Sequence, residues 1–155
     1  MRLLGARHSL LYGNIFSQDI EHSADVSCEM SLWYDENEKV LVCGTGRNLE
    51  DVHKFAKSNS RMIEGMPMIG KITVGGAISV GAHGGGVVYP TLSSQISYMF
   101  IIDKDNVMKK VTSEKDLKVL RVCFGLCGNI MKVGFHTKPF SHFEFTRRKI
   151  NMQDI

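Results

Sequence analysis

The 155-residue sequence lacks any run of ~20 apolar residues of the kind that crosses a membrane as a helix. The apolar stretch around Val74–Ala82 is interrupted by glycines and ends at His83. The four cysteines, Cys28, Cys43, Cys123 and Cys127, contain no C-x-x-C pair, which argues against a zinc knuckle or a thioredoxin-type site. No secretory leader pattern opens the sequence, so an intracellular protein is expected, with its thiols reduced and acting as small apolar residues. Charge of one sign is also missing. Nineteen Lys and Arg oppose 16 Asp and Glu, and a net charge of +3 does not by itself imply a nucleic-acid partner. The basic cluster Arg147-Arg148-Lys149 reads as part of a solvated tail rather than an anion contact. His22, His53, His136 and His142 are scattered without metal-ligand spacing, and no metal is expected. There is no internal repeat.

What is present suits one globular domain. Apolar residues at 43% and charged residues at 23% are ordinary values, and disorder is not indicated. Arg2-Leu3-Leu4 reads as a strand running into a tight turn, and residues 10 to 25 read as a loop. Cys28 to Tyr34 alternates apolar and polar residues, Asp35 to Glu38 supplies a turn, and Lys39 to Cys43 supplies a return strand. Asn48 reads as the N-cap of a helix, with Leu49, Val52, Phe55 and Ala56 on one face and Ser58-Asn59-Ser60 at its end. Ser94 to Asp103 is the strongest strand pattern, followed by a turn into Val107–Val111. Glu114 to Val119, with Ser113 placed to cap it, predicts a short helix, and Ile130 to Thr137 a last strand. Strands joined by short turns predict an α+β fold with a mainly antiparallel sheet flanked by helices.

Glycine is the residue distributed most unevenly: seven of the 15 lie between Gly70 and Gly86. Glycine admits positive φ and lets a ligand approach the backbone, and successive exposed amides make an anion-binding concavity. Gly75-Gly76 and Gly84-Gly85-Gly86 bracket Ala77–His83, and Ser79 adds a hydroxyl. On composition alone, a packed or flexible glycine loop without a ligand is the simpler reading. Neither G-x-G-x-x-G after a strand nor a phosphate-loop lysine is present, so a Rossmann or P-loop site is not supported.

Four segments, in order, resemble a known family. They are Gly5-Ala6-Arg7-His8-Ser9, Ile72 to Gly86 with His83-Gly84, Tyr89 to Gln95 with the strand to Asp103, and Arg121 to Ile130. Together they are similar to the PCMH-type FAD-binding domain of the vanillyl-alcohol oxidase superfamily, and most similar to its aldonolactone oxidases. The resemblance implies the second subdomain of that FAD-binding domain over residues 1–140, with 141–155 as a polar tail. It also implies FAD as cofactor. The backbone of Gly5, Ala6, Arg7, His8 and Ser9 would wrap the pyrophosphate, and His8 would stand where many members attach the flavin covalently. Gly76, Ser79, Gly81, His83 and Gly84 would line the pyrophosphate and ribityl region, and Gly125, Gly128 and Ile130 would border the flavin or adenine. No catalytic residue is nominated.

Departures are present as well. The family turn usually carries glycine where this chain has Ala6 and Arg7, Pro90 replaces a frequent glycine, and Asn129 occupies a usually apolar site. Against the family's length, the chain is expected to be truncated at both ends and to lack a substrate domain. Two functions follow: an FAD-binding module of an oxidoreductase similar to sugar-lactone oxidases, or a non-catalytic subunit that kept the fold and lost the flavin. Either would be completed by a protein partner or by self-association.

Overall fold

The computed structural model describes the backbone of residues 2–4 and 23–25, and residues 29–85, 90–142, 144, 146, 147 and 149. Its centre is a five-stranded antiparallel sheet. The strands are β3 (Leu32–Asp35), β4 (Val40–Gly44), β6 (Ile96–Ile102), β7 (Met108–Val111) and β8 (Asn129–His136), in the order β3-β4-β8-β6-β7. A two-stranded parallel pair, β1 (Arg2–Leu4) with β2 (Ser23–Asp25), and an antiparallel pair, β5 (Arg61–Met62) with β9 (Lys138–Pro139), stand apart from it. The helices are α1 (Leu49–Ser58), α2 (Val74–Ser79) and α3 (Glu114–Leu120), with a 3-10 turn at Leu92–Gln95. The expected α+β class with a mainly antiparallel sheet is what the chain adopts.

Period-two alternation divides the sheet into two faces. Leu41, Cys43, Met99, Val133 and Phe135 point inward and are buried with Leu49, Val52 and Ala56 of α1, Val74, Ala77 and Ile78 of α2, and Leu117 and Leu120 of α3. Val40, Val42 and Tyr98 form a second buried cluster, against which Phe100 packs. There Tyr98 opposes Gly134, and a Cβ on Gly134 would stand 2.7 Å from the Tyr98 Cζ atom, so the ring occupies the space a side chain would fill. Tyr98 and Phe100 meet edge to face at 5.7 Å, and the Lys110 ammonium lies 4.0 Å from the Tyr98 ring centre.

Local chemistry accounts for the connections. Asp35 Oδ1 accepts from the amides of Asn37 and Glu38 and closes the β3–β4 turn, where Lys39 takes a φ of 54°. Asp103 repeats the device between β6 and β7, its Oδ1 accepting from Asp105 and Val107 before Asn106 at φ 60°. The Phe140 amide donates to the Ser60 carbonyl, and the Phe140 ring meets His142 edge to face at 5.2 Å.

Four expectations are corrected. Ser23–Asp25 is a strand rather than loop, because its backbone pairs with Arg2–Leu4, a long-range partner that local composition does not reveal. The β3 strand begins at Leu32 rather than Cys28. Asn48 and Ser113 occupy N-cap positions, yet neither side chain caps its helix. Val74–Ser79 of the glycine-rich segment is helical despite Gly75-Gly76, since burial of Val74, Ala77 and Ile78 outweighs the glycine cost of ~1 kcal/mol each.

Candidate functional site

The glycine-rich segment is organised by hydrogen bonds that use up its amides. The Val74 amide donates to the Arg47 carbonyl at 2.8 Å and the Gly75 amide to the Thr45 carbonyl at 2.9 Å. The Gly76 amide donates to Thr73 Oγ1 at 3.2 Å, an ordinary N-cap. The first turn of α2 therefore has no donor to spare among these three. At the other end, Gly81 takes a φ of 68°; its amide donates to Ile78, and the Ala82 amide reaches back to the Ala77 carbonyl at 2.9 Å. This pair of bonds is a Schellman C-terminus, which explains glycine at position 81 without any ligand. The Gly84 amide donates to the Gly65 carbonyl at 2.8 Å, and a Cβ on Gly84 would stand 2.9 Å from the Met66 carbonyl oxygen.

Several groups remain available among the described residues. The Ser79 hydroxyl has no partner there, and the amides of His83 and Gly85 have no backbone acceptor. His83 is exposed, and its Nδ1 lies 2.8 Å from the Gly84 carbonyl. A carbonyl only accepts, so Nδ1 carries a proton and Nε2 is the ring's remaining polar atom. A Cβ on Gly85 would meet nothing within 4 Å.

The late motif comes to this segment. The Phe124 amide donates to the Ser79 carbonyl at 3.2 Å, and a Cβ on Gly81 would stand 3.4 Å from Val122 Cγ2. The 123–126 turn closes with the Leu126 amide on the Cys123 carbonyl, and Phe124 and Gly125 both have positive φ, at 51° and 73°. Among the described residues, nothing lies within 4 Å of a Cβ built on Gly125. Gly128, at φ 116°, passes close to Ile102, whose carbonyl oxygen would stand 3.0 Å from a Cβ. Val80, Val122 and Phe124 are exposed and give this junction an apolar rim.

The structure thus brings Ser79 and Gly81 to the turn before Gly128. It places Gly76 a helical turn away, and Gly84 against the 65–66 backbone. Ile130 is a buried core residue whose carbonyl accepts from Thr45 Oγ1 at 2.8 Å. Gly5, Ala6, Arg7, His8 and Ser9 lie outside the described residues.

Sequence reasoning missed the polar residues behind the site. Thr45, Thr73, Ser93 and Gln95 are the buried polar side chains of the described residues. Gln95 accepts from the Glu64 amide at 2.9 Å and donates to the Glu64 carbonyl, fixing the loop on which Gly84 rests. Thr73, just before Val74-Gly75-Gly76, carried a readable N-cap signal; Thr45 and Gln95 carried none, because their partners are distant in sequence.

Cys43, Cys123 and Cys127 are free thiols. Burial pushes the Cys43 thiol far above its ordinary value, although Arg47 opposes the shift. Burial also raises the Cys127 thiol, helped by neighbouring Cys123. Among the described residues, no group of three or more His, Cys, Asp or Glu could hold a metal ion, and no helix is long and apolar enough to cross a membrane.

Comparison with known proteins places this geometry in context. The family described as FAD binding domain matches residues 1–112. L-gulonolactone oxidase of Mus musculus is 24% identical over 127 residues, which are 80% of this chain and 29% of that protein. A histidine-to-alanine mutant of cholesterol oxidase from Brevibacterium sterolicum superposes with a TM-score of 0.62 at 17% identity, covering 76% of this chain and 25% of that one. The chain therefore spans under a third of the length of either.

Proposed function

The chain belongs to the FAD binding domain family, and from that premise we propose that it is the flavin-holding module of an oxidoreductase similar to sugar-lactone oxidases. FAD would lie along Ser79–Gly85 and against the 124–128 turn. The observation that carries this is the meeting at Ser79: its carbonyl takes the Phe124 amide, so two separate glycine-bearing segments share one junction, while its hydroxyl has no partner among the described residues. The residues fit the group. The Ser79 hydroxyl and the amides of His83 and Gly85 suit phosphate or ribityl oxygens, and Gly85 and Gly125 have the clear space a cofactor needs. Val80, Val122 and Phe124 offer apolar surface to a flat ring. Gly76, Gly81 and Gly84 would contribute low bulk rather than amide donors, since those amides are already bonded. Bound FAD would supply two-electron acceptance, and this chain's part is to hold and orient it.

The turn Gly5-Ala6-Arg7-His8-Ser9 would complete the pyrophosphate contact, with Arg7 offering a guanidinium to a phosphate and His8 the covalent link. Residues 1–140 would form part of an FAD-binding domain and 141–155 its polar tail. The mouse relative's name points to a sugar lactone as substrate class, and a protein partner or a second copy would complete the enclosure.

One observation favours the other reading, a subunit that kept the fold without flavin: packing and capping explain Gly75, Gly76, Gly81 and Gly84 with no ligand present. Titrating the purified chain with FAD decides between them. Binding would quench flavin fluorescence and yield a yellow protein. Flavin that stays with the acid-denatured chain, and is released in His8→Ala, would identify the covalent link. A colourless chain that leaves FAD fluorescence unchanged would sink the flavin reading.

A further inference from the structure

Thr45 is one of the four buried polar side chains of the described residues, and nothing in the flavin reading uses it. It lies immediately after β4, fully buried. Opposite it, β8 departs from regular pairing. Ile101 pairs with Ile130 and Phe100 with Lys132, so Met131 is an extra residue with no partner on β6. Such a bulge bends the strand and redirects its carbonyls. The carbonyls of Ile130 and Met131 both turn to Thr45. The single Thr45 hydroxyl proton is shared between the Ile130 carbonyl, with Oγ1 at 2.8 Å, and the Met131 carbonyl, at 3.1 Å, and the Thr45 amide donates to Met131 at 2.9 Å. The Thr45 carbonyl in turn accepts the Gly75 amide at 2.9 Å. Contact is as close as the bonds: a Cβ on Gly75 would stand 3.0 Å from the Thr45 Cβ.

One residue thus joins two structures that the sequence separates widely. On one side is α2, which carries Ser79 and leads to Gly81 and His83. On the other is the start of β8, which the 124–128 turn enters through Gly128. We propose that Thr45 is a positioning residue, whose hydroxyl sets the spacing of the two glycine-bearing segments that hold the cofactor. The inference rests on the flavin reading above. Thr45 touches no proposed ligand atom and acts through Gly75 and the β8 bulge. Loss of the hydroxyl leaves the buried Ile130 carbonyl without this donor and frees the bulge to relax, which would move Gly128 relative to Ser79.

The test is FAD affinity by fluorescence quenching in the full chain for wild type, Thr45→Val, Thr45→Ser and Val40→Ala. Val40 belongs to the outer-face cluster and serves as a stability control. Thr45→Val should weaken FAD binding by about tenfold, the scale of one buried hydrogen bond. Thr45→Ser should restore binding to within about threefold of wild type, since the donor returns. Val40→Ala should lower the melting temperature without changing the dissociation constant. Wild-type affinity in folded Thr45→Val, or an equal loss in Val40→Ala, overturns the positioning role while leaving the flavin reading intact. Failure of the wild type itself to bind FAD removes both. If Thr45→Val does not fold, Gly75→Ala pushes on the same contact with the hydroxyl retained, and unchanged FAD affinity in that variant overturns the proposal.

Discussion

The two glycine-bearing segments use the same residue for opposite ends. Between Val74 and Gly84, apart from Gly81 with its positive φ, glycine is present where something else fills the space of a side chain: Thr45 beside Gly75, the Met66 carbonyl beside Gly84. In the turn after Cys123, glycine is present because of its backbone. Gly125 has a φ of 73° and nothing within 4 Å of the missing Cβ. Gly75 and Gly84 are packing solutions, and Gly125 is a conformational one. A high glycine count alone could not have told them apart. Both sorts of site can border a ligand, but they fail differently when a methyl group is added.

Single alanine substitutions should expose that difference. The largest effect is expected from Gly84→Ala, where the methyl meets a backbone carbonyl that cannot rotate away. Overpacking of this kind costs roughly 1–3 kcal/mol, read as a lower denaturation midpoint in urea. Gly125→Ala should cost about 1 kcal/mol, from left-handed backbone strain alone. Gly85→Ala should lie within about 0.5 kcal/mol of wild type in stability, since its φ is not in the left-handed region and its Cβ is unopposed. If the flavin reading is correct, Gly85→Ala should nevertheless weaken FAD binding, and that separation of stability from affinity would mark Gly85 as ligand-facing. An equal stability loss at positions 84 and 85 would erase the distinction between them.

Thiol labelling is the mildest probe of the same junction. Cys127 is exposed beside the 124–126 turn, whereas Cys43 is fully buried under the sheet. An alkylating reagent on native protein should modify Cys127 and spare Cys43 until the chain unfolds. Because burial and Cys123 raise the Cys127 thiol, its folded pKa lies above the unfolded one and its thiolate is scarce at neutral pH. Labelling of Cys127 should therefore be slower than that of a free thiol at neutral pH and accelerate as pH rises beyond the ordinary thiol range. Bound FAD, if it lies against the turn, should slow it further.

Much of the fold was legible because its signals are local. The β3–β4 and β6–β7 turns follow from Asp35 and Asp103, each of which bonds amides two to four residues ahead. The α1 face follows from the spacing of Leu49, Val52 and Ala56. Non-local features were not legible. Ser23–Asp25 is a strand only because Arg2–Leu4 lies beside it. Thr45 sits between two glycines in a turn, and its partners are 85 and 86 positions away. The identity of the candidate site followed from the order of four short motifs. Its interior accounting did not: Gly75, Gly76 and Gly84 belong to runs that read as exposed amides in the sequence, and their amides are bonded in the fold.

The Tyr98 ring over Gly134 has a consequence for how the sheet assembles. It is a registration key. Slipping β6 by two residues along β8 would keep every side chain on its proper face, so the hydrophobic pattern alone would not forbid it. The slip would, however, set the ring against Lys132 or His136 in place of the one residue on that face of β8 with no side chain. The aromatic and the gap beside it therefore choose one alignment out of several that burial would tolerate. That alignment fixes the bulge at Met131, whose carbonyl Thr45 holds from the other edge of β8, so the sheet brings its own ruler to the place where the two glycine-bearing segments meet.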